Sequence, residues 1–198
     1  MTRSAAPPDV TLVRFSRARL PRYVDALEQG WSPDNIRGAV AAREQLDAIA
    51  KDPDAFVWRS DDPEGRLPPI QGLDGVLYAR LPGVTRWIWD DDFCGVISLR
   101  WDHDRTGVLP PHVLGHIGYA VVPWKRGLGR ARQALKLILP VAWARSLPFV
   151  ELTTQPDNLA SQKVILANGG VLVERFAKPT SMGGGESLRF RIRRPAGA

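Results

Sequence analysis

The sequence predicts a mixed α and β fold with a strand–helix–strand unit at its centre. Residues 115–123 are strand-like, residues 127–146 repeat apolar side chains at spacings of three and four, and residues 148–154 are strand-like again. Such a unit is expected to form two parallel strands joined by a right-handed crossover. The second observation is a pair of β-branched and aromatic runs at 84–89 and 93–101, whose short polar linker predicts a hairpin.

The remaining elements are placed by the same periodicities. Residues 1–9 combine alanine, serine and two prolines without a repeat, so we expect a flexible N-terminal tail, and residues 10–198 are expected to form one domain. A helix capped by Asp157 is expected to end near Gly169, which supplies a left-handed stop. The other expected elements are a strand at 11–15, helices at 19–29 and 36–50, a short strand at 55–58, and closing strands at 171–176 and 187–193.

The composition excludes several classes of protein. The chain has 198 residues, of which 44% are hydrophobic and 24% are charged, as is ordinary for a globular domain. No apolar run approaches the roughly 20 residues that span a bilayer, and the N-terminus lacks the apolar core of a signal peptide. Cys94 is the single cysteine, which excludes a disulfide framework and a thiolate zinc cluster. We therefore expect a cytoplasmic protein with no membrane partner.

The positive charge is concentrated in the second half of the chain. Residues 1–110 carry 14 basic and 17 acidic side chains, whereas residues 111–198 carry 13 basic and 4 acidic ones. Such asymmetry indicates an anionic partner for the second half, such as nucleic acid, a phosphorylated cofactor or an acidic surface. A solvated basic face is the alternative explanation of the same counts.

The most informative stretch joins the strand at 115–123 to the helix that follows it. The first turn of a helix leaves backbone N–H groups unpaired, and two glycines, Gly127 and Gly129, allow an anion to approach the backbone closely. Formal positive charge surrounds the same point, on Lys125, Arg126, Arg130 and Arg132. This pattern predicts a phosphate-binding site. It lacks the Lys-Ser/Thr of a nucleotide-hydrolysing loop and the three glycines of a dinucleotide-binding loop.

The same stretch resembles the acyl-CoA signature of the GNAT family of N-acetyltransferases. That signature is Gln/Arg-x-x-Gly-x-Gly/Ala after a strand ending in Val-x-Pro, and residues 126–131 together with 121–123 fit it. A second block, residues 157–170, is similar to the family's Asn-x-x-Ala/Ser helix that closes with a glycine. The two blocks follow each other in the family's order, with a helix and a strand between them.

The resemblance implies a mixed, mostly antiparallel central sheet, flanked by helices, in which the parallel strands at 115–123 and 148–154 splay apart. Acetyl-CoA would enter this gap as co-substrate, with its pantetheine arm on the backbone of Val121 and Val122. Asn158 would contact the cofactor, and Ser161 would lie near its adenosine or pantetheine side. The pyrophosphate would be held by the backbone N–H groups of Arg126, Gly127, Leu128, Gly129, Arg130 and Ala131.

Acetyl transfer to an amine requires deprotonation of the ammonium, polarisation of the thioester carbonyl and protonation of the leaving thiolate. In many members of the family a tyrosine seven residues after the asparagine is the acid, and Ile165 occupies that position here. Tyr119 is the nearest tyrosine in sequence and is the candidate acid. His116 is the leading candidate base because imidazole titrates in the useful pH range, and Glu151 is the second. The alternatives are a packed core histidine and a carboxylate paired with an arginine.

Two patterns bear on the acceptor. Acidic turns at 90–92 and 102–104 could attract a cationic amine, although solvated turns would look the same. Five tryptophans fall in the part expected to shape the acceptor pocket, where indole rings would suit an amine with apolar bulk: Trp31, Trp58, Trp87, Trp89 and Trp101. The cluster at 102–104 lacks a recognised ligand spacing, so no metal is expected.

These observations predict an enzyme that transfers an acetyl group directly from acetyl-CoA to a primary amine of a small molecule or peptide. A non-catalytic acyl-CoA-binding protein of the same fold is the alternative that Ile165 favours. A nucleic-acid-binding protein is the second alternative, suggested by a pI of about 10.0 and by the alternation of Arg189, Arg191 and Arg193, but only Phe190 resembles the interleaved aromatics of RNA-binding strands. The closing strands allow pairing in a homodimer, which nothing in the sequence requires.

Overall fold

The computed structural model describes residues 9–72, 75–104 and 106–197, so the predicted N-terminal tail lies outside the described residues except for Asp9. The helices found in these ranges are α1 (Leu20–Glu28), α2 (Ala39–Lys51), α3 (Pro53–Trp58), α4 (Arg130–Trp143) and α5 (Leu159–Leu166). The strands are β1 (Thr11–Val13), β2 (Asp61–Asp62), β3 (Ile70–Gln71), β4 (Leu77–Tyr78), β5 (Gly83–Trp89), β6 (Phe93–Arg100), β7 (Ile117–Val121), β8 (Phe149–Thr154), β9 (Val171–Ala177) and β10 (Glu186–Arg193).

The strands form two larger antiparallel sheets. The first has the order β1–β5–β6–β7, with β2 also paired to β5, and the second has the order β8–β10–β9. Strands β3 and β4 form a separate two-stranded ladder. Antiparallel sheets flanked by helices confirm the predicted mixed α and β fold.

The predicted splay falls between β7 and β8, which belong to different sheets. At the start of β7 the two segments touch, because the His116 N–H donates to the Glu151 C=O over 2.7 Å. Gly115 permits this approach, since a Cβ at that position would lie 3.0 Å from the Glu151 carbonyl oxygen. Within the described ranges β7 and β8 form no ladder, so the edge of β7 stays open toward β8.

Helices cover both faces of the first sheet, because alternate side chains of each strand point to opposite faces. On one face, Ile97 and Leu99 of β6 pack with Leu135 and Ile138 of α4 in a core that continues onto β8 and β10. The other face carries an aromatic core against α1 and α2, whose buried members include Tyr23, Trp31, Trp87, Phe93, Val96, Ala120 and Val122. Across the described ranges, every helix is too short or too polar to span a bilayer.

The predicted strand at 55–58 is wrong, because these residues belong to the helix α3. The Asp52 carboxylate accepts the Ala55 N–H over 2.9 Å, and Pro53 occupies the first helical position. A capping carboxylate and an N-terminal proline both favour the start of a helix. The local cap therefore outweighs the strand preference of the aromatic and β-branched residues that follow it.

Two helix boundaries also differ from the expectation. The helix predicted from residue 127 begins at Arg130, after Gly129 in the left-handed conformation. The cap of α5 is Asn158 rather than Asp157, since the Asn158 Oδ1 accepts the Ser161 N–H over 3.0 Å. Both shifts lengthen the loops that face the gap between β7 and β8.

Candidate active site

The open edge of β7 presents backbone groups to the gap. The Val122 N–H donates to the Cys94 C=O over 3.0 Å, and the Arg100 N–H donates to the His116 C=O over 2.9 Å. Because hydrogen-bonded and non-bonded pairs alternate along an antiparallel ladder, the N–H and C=O groups of Tyr119 and Val121 point away from β6. These groups therefore lie on the side that faces β8.

Val121 and Val122, the two residues predicted to contact the pantetheine arm, differ in where their backbone groups point. The Val121 C=O lies on the gap side, where the Arg126 Nε donates to it over 3.0 Å. Both backbone groups of Val122 are engaged within the protein, because its C=O also accepts the Lys125 N–H over 3.0 Å. The backbone groups of Val121 thus face the gap, whereas those of Val122 are engaged within the protein.

The loop between β7 and α4 carries a run of unpaired donors. Gly127 and Gly129 both have φ of +76°, and a Cβ at either position would meet open space. Within the part of the chain that the structure describes, the backbone N–H groups of residues 127–132 have no hydrogen-bond acceptor. The cradle includes the N-terminus of the 14-residue helix α4, whose partial positive charge favours an anion. The geometry fits the pyrophosphate group predicted from the sequence.

Two of the cations around this loop are held by a carboxylate of the acidic turn at 90–92, which was expected either to attract a cationic amine or to be solvated. Asp90, between β5 and β6, accepts from the Lys125 Nζ over 2.6 Å and from the Arg130 Nε over 2.7 Å. Its side chain is only 8% exposed. Burial by itself raises the pKa of Asp90, but the hydrogen bonds from Lys125 and Arg130 outweigh it and hold the pKa well below its usual value.

Asp90 is therefore a site residue that the sequence did not reveal. Its two partners were expected to surround the phosphate, and the structure pairs both of them with Asp90, which ties the β5–β6 turn to the loop. The sequence feature that could have indicated Asp90 is the run of three aspartates at 90–92, in a chain that also has a basic loop. Nothing local showed which aspartate would be buried.

Tyr119 and Ser161 link β7 to the start of α5. The Tyr119 hydroxyl lies 2.8 Å from the Ser161 Oγ, and both side chains are half-buried. Burial raises the pKa of Tyr119, and the hydrogen bond to Ser161 lowers it in part, so the phenol is protonated near neutral pH. Asn158 is exposed, and its Oδ1 caps α5. Tyr119, Ser161 and Asn158 therefore lie in one region, between β7 and the start of α5.

Ile165 is fully buried in the core. A Cβ at Gly170 would lie 2.4 Å from the Ile165 Cγ2, which shows how closely the end of α5 packs on this side chain. The position where many relatives carry a tyrosine thus holds an apolar core residue, and no proton donor comes from it.

His116 is the packed core histidine that the sequence analysis kept as an alternative. The side chain has no solvent exposure, its Nδ1 accepts the Glu151 N–H over 3.0 Å, and burial lowers its pKa to about 4. A neutral imidazole whose Nδ1 accepts a hydrogen bond carries its proton on Nε2. No lone pair then remains for an incoming proton, so the predicted role of general base does not fit the geometry.

Glu151 is the arginine-paired carboxylate that was the alternative to a base. It accepts from Arg189 over 2.9 Å and from Arg191 over 2.6 Å and is buried. Burial by itself raises the pKa of Glu151, but the two arginines outweigh it and lower the pKa. The same carboxylate holds two of the three arginines that suggested nucleic-acid binding, which weakens that alternative.

Most of the tryptophans expected to wall the acceptor pocket belong to the cores. Trp31, Trp87 and Trp101 are at most 4% exposed, and Trp87 stacks on Phe15 with ring centroids 4.2 Å apart. Trp58 is 69% exposed. The five indoles are therefore not gathered around one pocket, because the alternation of β5 turns Trp87 into the aromatic core.

The acidic turns are also engaged. The Asp102 carboxylate accepts the N–H groups of Thr106 and Gly107 over 2.7 and 3.1 Å and is buried. Asp92 lies 3.5 Å from the Arg22 Nε. Across the described residues, no group of three or more histidine, cysteine or acidic side chains could hold a metal ion.

Comparison with known proteins identifies the family. A family model described as an acetyltransferase (GNAT) domain matches residues 41–171, which include β7, the phosphate loop, α4, β8 and α5. The chain therefore belongs to the GNAT acetyltransferase family. No curated protein matches its sequence.

Solved acetyltransferases share the fold. The microcin C7 self-immunity acetyltransferase MccE, in complex with acetyl-CoA and AMP, is 15% identical with a TM-score of 0.61, over 93% of this chain and 92% of its own. RimJ of Mycobacterium smegmatis, in complex with CoA-disulfide, is 18% identical with a TM-score of 0.58, over 93% and 81%. Mutant forms of the spermidine/spermine N-acetyltransferase SpeG of Vibrio cholerae are 12% identical with a TM-score of 0.57, over 93% and 95%.

These identities establish a common fold and leave the substrates of this chain open. The family match and the CoA-bound neighbours support acetyl-CoA as co-substrate, as the sequence predicts.

Proposed function

We propose that this protein is an N-acetyltransferase that moves the acetyl group of acetyl-CoA directly to a primary amine of a small molecule or peptide. The observation that carries the proposal is the run of unpaired N–H groups at residues 127–132 beside the open edge of β7. Six consecutive unpaired backbone N–H groups with two left-handed glycines would be a costly arrangement for a loop with no ligand. In a GNAT chain, the ligand with the matching charge is the pyrophosphate of CoA.

The chain offers donors and acceptors along the whole gap. The N–H groups of residues 127–131 would hold the pyrophosphate, and Val121 would pair with the pantetheine arm once Arg126 releases its carbonyl oxygen. The Arg126 guanidinium would then be free to approach the phosphates. Asn158 and Ser161 would lie on the α5 side of the arm. Lys125 and Arg130 would stabilise the loop through Asp90 rather than contact the cofactor.

Acetyl-CoA supplies a thioester whose C–S bond breaks as the C–N bond to the amine forms. The leaving sulfur must gain a proton, and we assign that proton to the Tyr119 hydroxyl. The phenol is protonated at neutral pH and lies beside the gap, and the Ser161 hydroxyl can return a proton to it across 2.8 Å. Tyr119 would thus take the role that Ile165 leaves vacant.

The amine must lose a proton, and the buried groups first considered for this task are unsuited to it. His116 has no free lone pair, and Glu151 is held by two arginines. We propose that the amine gives its proton to solvent and reacts from its neutral form. The reaction rate would then follow the fraction of neutral amine.

Calorimetric titration with acetyl-CoA, CoA and ATP tests the cofactor assignment. We expect micromolar binding of acetyl-CoA and CoA and much weaker binding of ATP. Gly129→Glu places a carboxylate in the cradle and is expected to abolish binding. Gly185→Glu is the matched control, because Gly185 has the same φ of +76°, also faces open space, and lies in the loop between β9 and β10. Retained binding in Gly129→Glu would refute the pyrophosphate assignment.

A non-catalytic acyl-CoA-binding protein is the second candidate, because Ile165 removes the usual acid. Release of CoA in the presence of an amine separates the two. Release that depends on the amine and falls at least about tenfold in Tyr119→Phe supports the transferase. Tight binding of acetyl-CoA with no release across a broad amine panel supports the binding protein.

A further inference from the structure

Arg100 is a cation without a counter-ion at the end of β6. The side chain is half-buried, and burial lowers its pKa. Its Nη2 donates to the Ser98 Oγ over 3.2 Å, and Ser98 in turn donates to the Gly118 C=O over 3.4 Å. No carboxylate of residues 9–72, 75–104 or 106–197 forms an ion pair with Arg100. A guanidinium has five N–H donors, so most of its capacity is unused in the free protein.

The surrounding acidic groups are committed elsewhere. Asp61 of β2 pairs with Arg86, and its neighbour Asp62 accepts the N–H groups of residues 66 and 67 over 2.8 and 3.0 Å. Asp102 is filled by N–H groups of its own loop. These bonds leave Arg100 without a compensating carboxylate among the described residues of this region.

Arg100 lies next to the reacting end of the gap. Directly opposed residues of an antiparallel pair share a face of the sheet, so Ser98 and Gly118 lie on the same face. The Arg100 Nη2 would be 3.8 Å from a Cβ at Gly118, which places the guanidinium over this glycine. Gly118 immediately precedes Tyr119, whose side chain points to the opposite face. An acceptor lying on Gly118 would therefore touch Arg100 while its amine approached the edge of β7.

A second buried donor without an acceptor lies beside Arg100. The His116 Nε2 has no solvent exposure and no partner in the described residues. The backbones of His116 and Arg100 are hydrogen-bonded, so the two side chains belong to neighbouring positions of β6 and β7. Buried donors are rarely left unpaired, because each costs the free energy of a lost hydrogen bond with water.

We propose that Arg100 binds an oxyanion of the acceptor, so that the acceptor amine of this enzyme carries a carboxylate or a phosphate group. This inference rests on the proposed acetyltransferase function and names the substrate class of the same site. It replaces the expectation of a site built to attract cations through acidic turns. A guanidinium fits both oxyanions through paired hydrogen bonds, and the free positive charge disfavours polyamines.

The test measures CoA release with matched acceptors at saturating acetyl-CoA. L-Leucine and L-phenylalanine are compared with their decarboxylated amines, O-phosphoethanolamine is compared with ethanolamine, and spermidine is the cationic probe. Each is assayed with the wild type, Arg100→Met, Arg100→Lys and Arg43→Met. Arg43 is the control, because it is exposed on α2 and far less buried than Arg100.

We expect the wild type to acetylate the acceptors that carry a carboxylate or phosphate more efficiently than the matched amines that lack it. The matched pair with the larger difference shows whether carboxylate or phosphate is the preferred group. Arg100→Met is expected to raise KM for anionic acceptors by about tenfold or more, with Arg100→Lys intermediate, while the Kd for acetyl-CoA and the rates with neutral amines are unchanged. Turnover of the anionic acceptors with equal efficiency in the wild type and Arg100→Met, or a wild type that acetylates neutral amines or spermidine better than the anionic acceptors, would overturn the inference and leave the proposed function standing.

A thermal-shift experiment without acetyl-CoA separates failure of the oxyanion-site inference from failure of the proposed acetyltransferase function. Stabilisation of the free wild type by the anionic probes, lost in Arg100→Met, supports the oxyanion site even if no CoA release is found. Absence of both stabilisation and an anionic preference overturns it. The folding control is the melting temperature itself, which we expect to be equal or higher in Arg100→Met because the variant removes a half-buried, unpaired charge.

Discussion

Replacing Asp90 by asparagine tests whether one buried carboxylate holds the phosphate loop in place. Asp90 accepts hydrogen bonds from Lys125 and Arg130, and also from the Asp92 N–H over 3.0 Å. Asparagine keeps one acceptor oxygen and a similar volume, but it removes the negative charge and leaves two cations in a poorly hydrated site. The neighbouring Asp91 is exposed, so Asp91→Asn makes the same chemical change one residue away.

The magnitude follows from the burial of the three side chains. The exposed fractions are 8% for Asp90, 16% for Lys125 and 9% for Arg130. Removing one partner of a buried ion pair costs about 3 to 5 kcal/mol, because the remaining charge is left uncompensated. An exposed substitution such as Asp91→Asn is expected to change stability by less than about 0.5 kcal/mol.

Urea denaturation of the two variants and the wild type measures this difference. We expect Asp90→Asn to lower the unfolding midpoint clearly and Asp91→Asn to leave it in place. A loss of less than about 1 kcal/mol in Asp90→Asn would show that the pair is as weak as a surface salt bridge, and the reasoning from burial would be refuted.

The acid dependence provides an independent check of the same carboxylate. The pKa of Asp90 is lowered in the folded protein, so its stabilising contribution is present above the unfolded-state pKa of about 4 and is lost as the pH falls toward the folded-state value. The wild type should therefore lose stability below about pH 4 more steeply than Asp90→Asn. Parallel acid-denaturation curves for the two proteins would contradict this assignment.

Three further outcomes are expected. Trp87→Ala should lower the free energy of unfolding by about 3 to 5 kcal/mol, whereas Trp58→Ala, at an exposed indole, should change it by less than about 0.5 kcal/mol. Equal effects of the two variants in denaturation would contradict the assignment of Trp87 to the core. The value of kcat/KM should rise with pH toward the pKa of the acceptor amine, and His116→Gln should show the same pH dependence. A further change in kcat/KM near pH 4 to 7 that is present in the wild type and absent in His116→Gln would identify His116 as the base. Gly95→Ala should destabilise the β6–β7 ladder by at least about 1 to 3 kcal/mol, because its Cβ would lie 2.1 Å from the Ala120 carbonyl oxygen and φ is +150°. Gly118→Ala, with nearest atoms at 3.7 Å, is the stability control, and equal melting temperatures would contradict the clash.

The features that the sequence predicts well are local ones. Gly127 and Gly129 are followed at once by a helix, and the free N–H groups of that helix are a property of any helix start. The strand–helix–strand order and the glycine stop of α5 likewise depend on neighbouring residues. The exception is the segment at 55–58, where the Asp52 cap and Pro53 turn a strand-like run into a helix.

Side chains that pair with each other lie far apart in the chain, so the sequence does not show which residues are partners. Asp90 and Arg130 are 40 positions apart in the chain, and Glu151 and Arg189 are 38 apart. Both carboxylates are of a type that can catalyse, attract a substrate or form a salt bridge, and the choice depends on which cation the fold brings within 3 Å. The same holds for His116, whose Nδ1 is occupied by the backbone of a strand in the other sheet.

The sequence by itself determined the family-defining chemistry: a strand that ends at a basic, glycine-containing turn, followed by a helix whose first N–H groups have no partner. These properties arise from backbone conformation and short-range spacing. Only the tertiary structure decided that Asp90 pairs with two of the loop cations, that His116 and Glu151 are held by core contacts, and that Arg100 has no counter-ion among the described residues. Such outcomes depend on burial and on distances of a few ångströms between strands, because the free energy of a charge is set by what surrounds it in space.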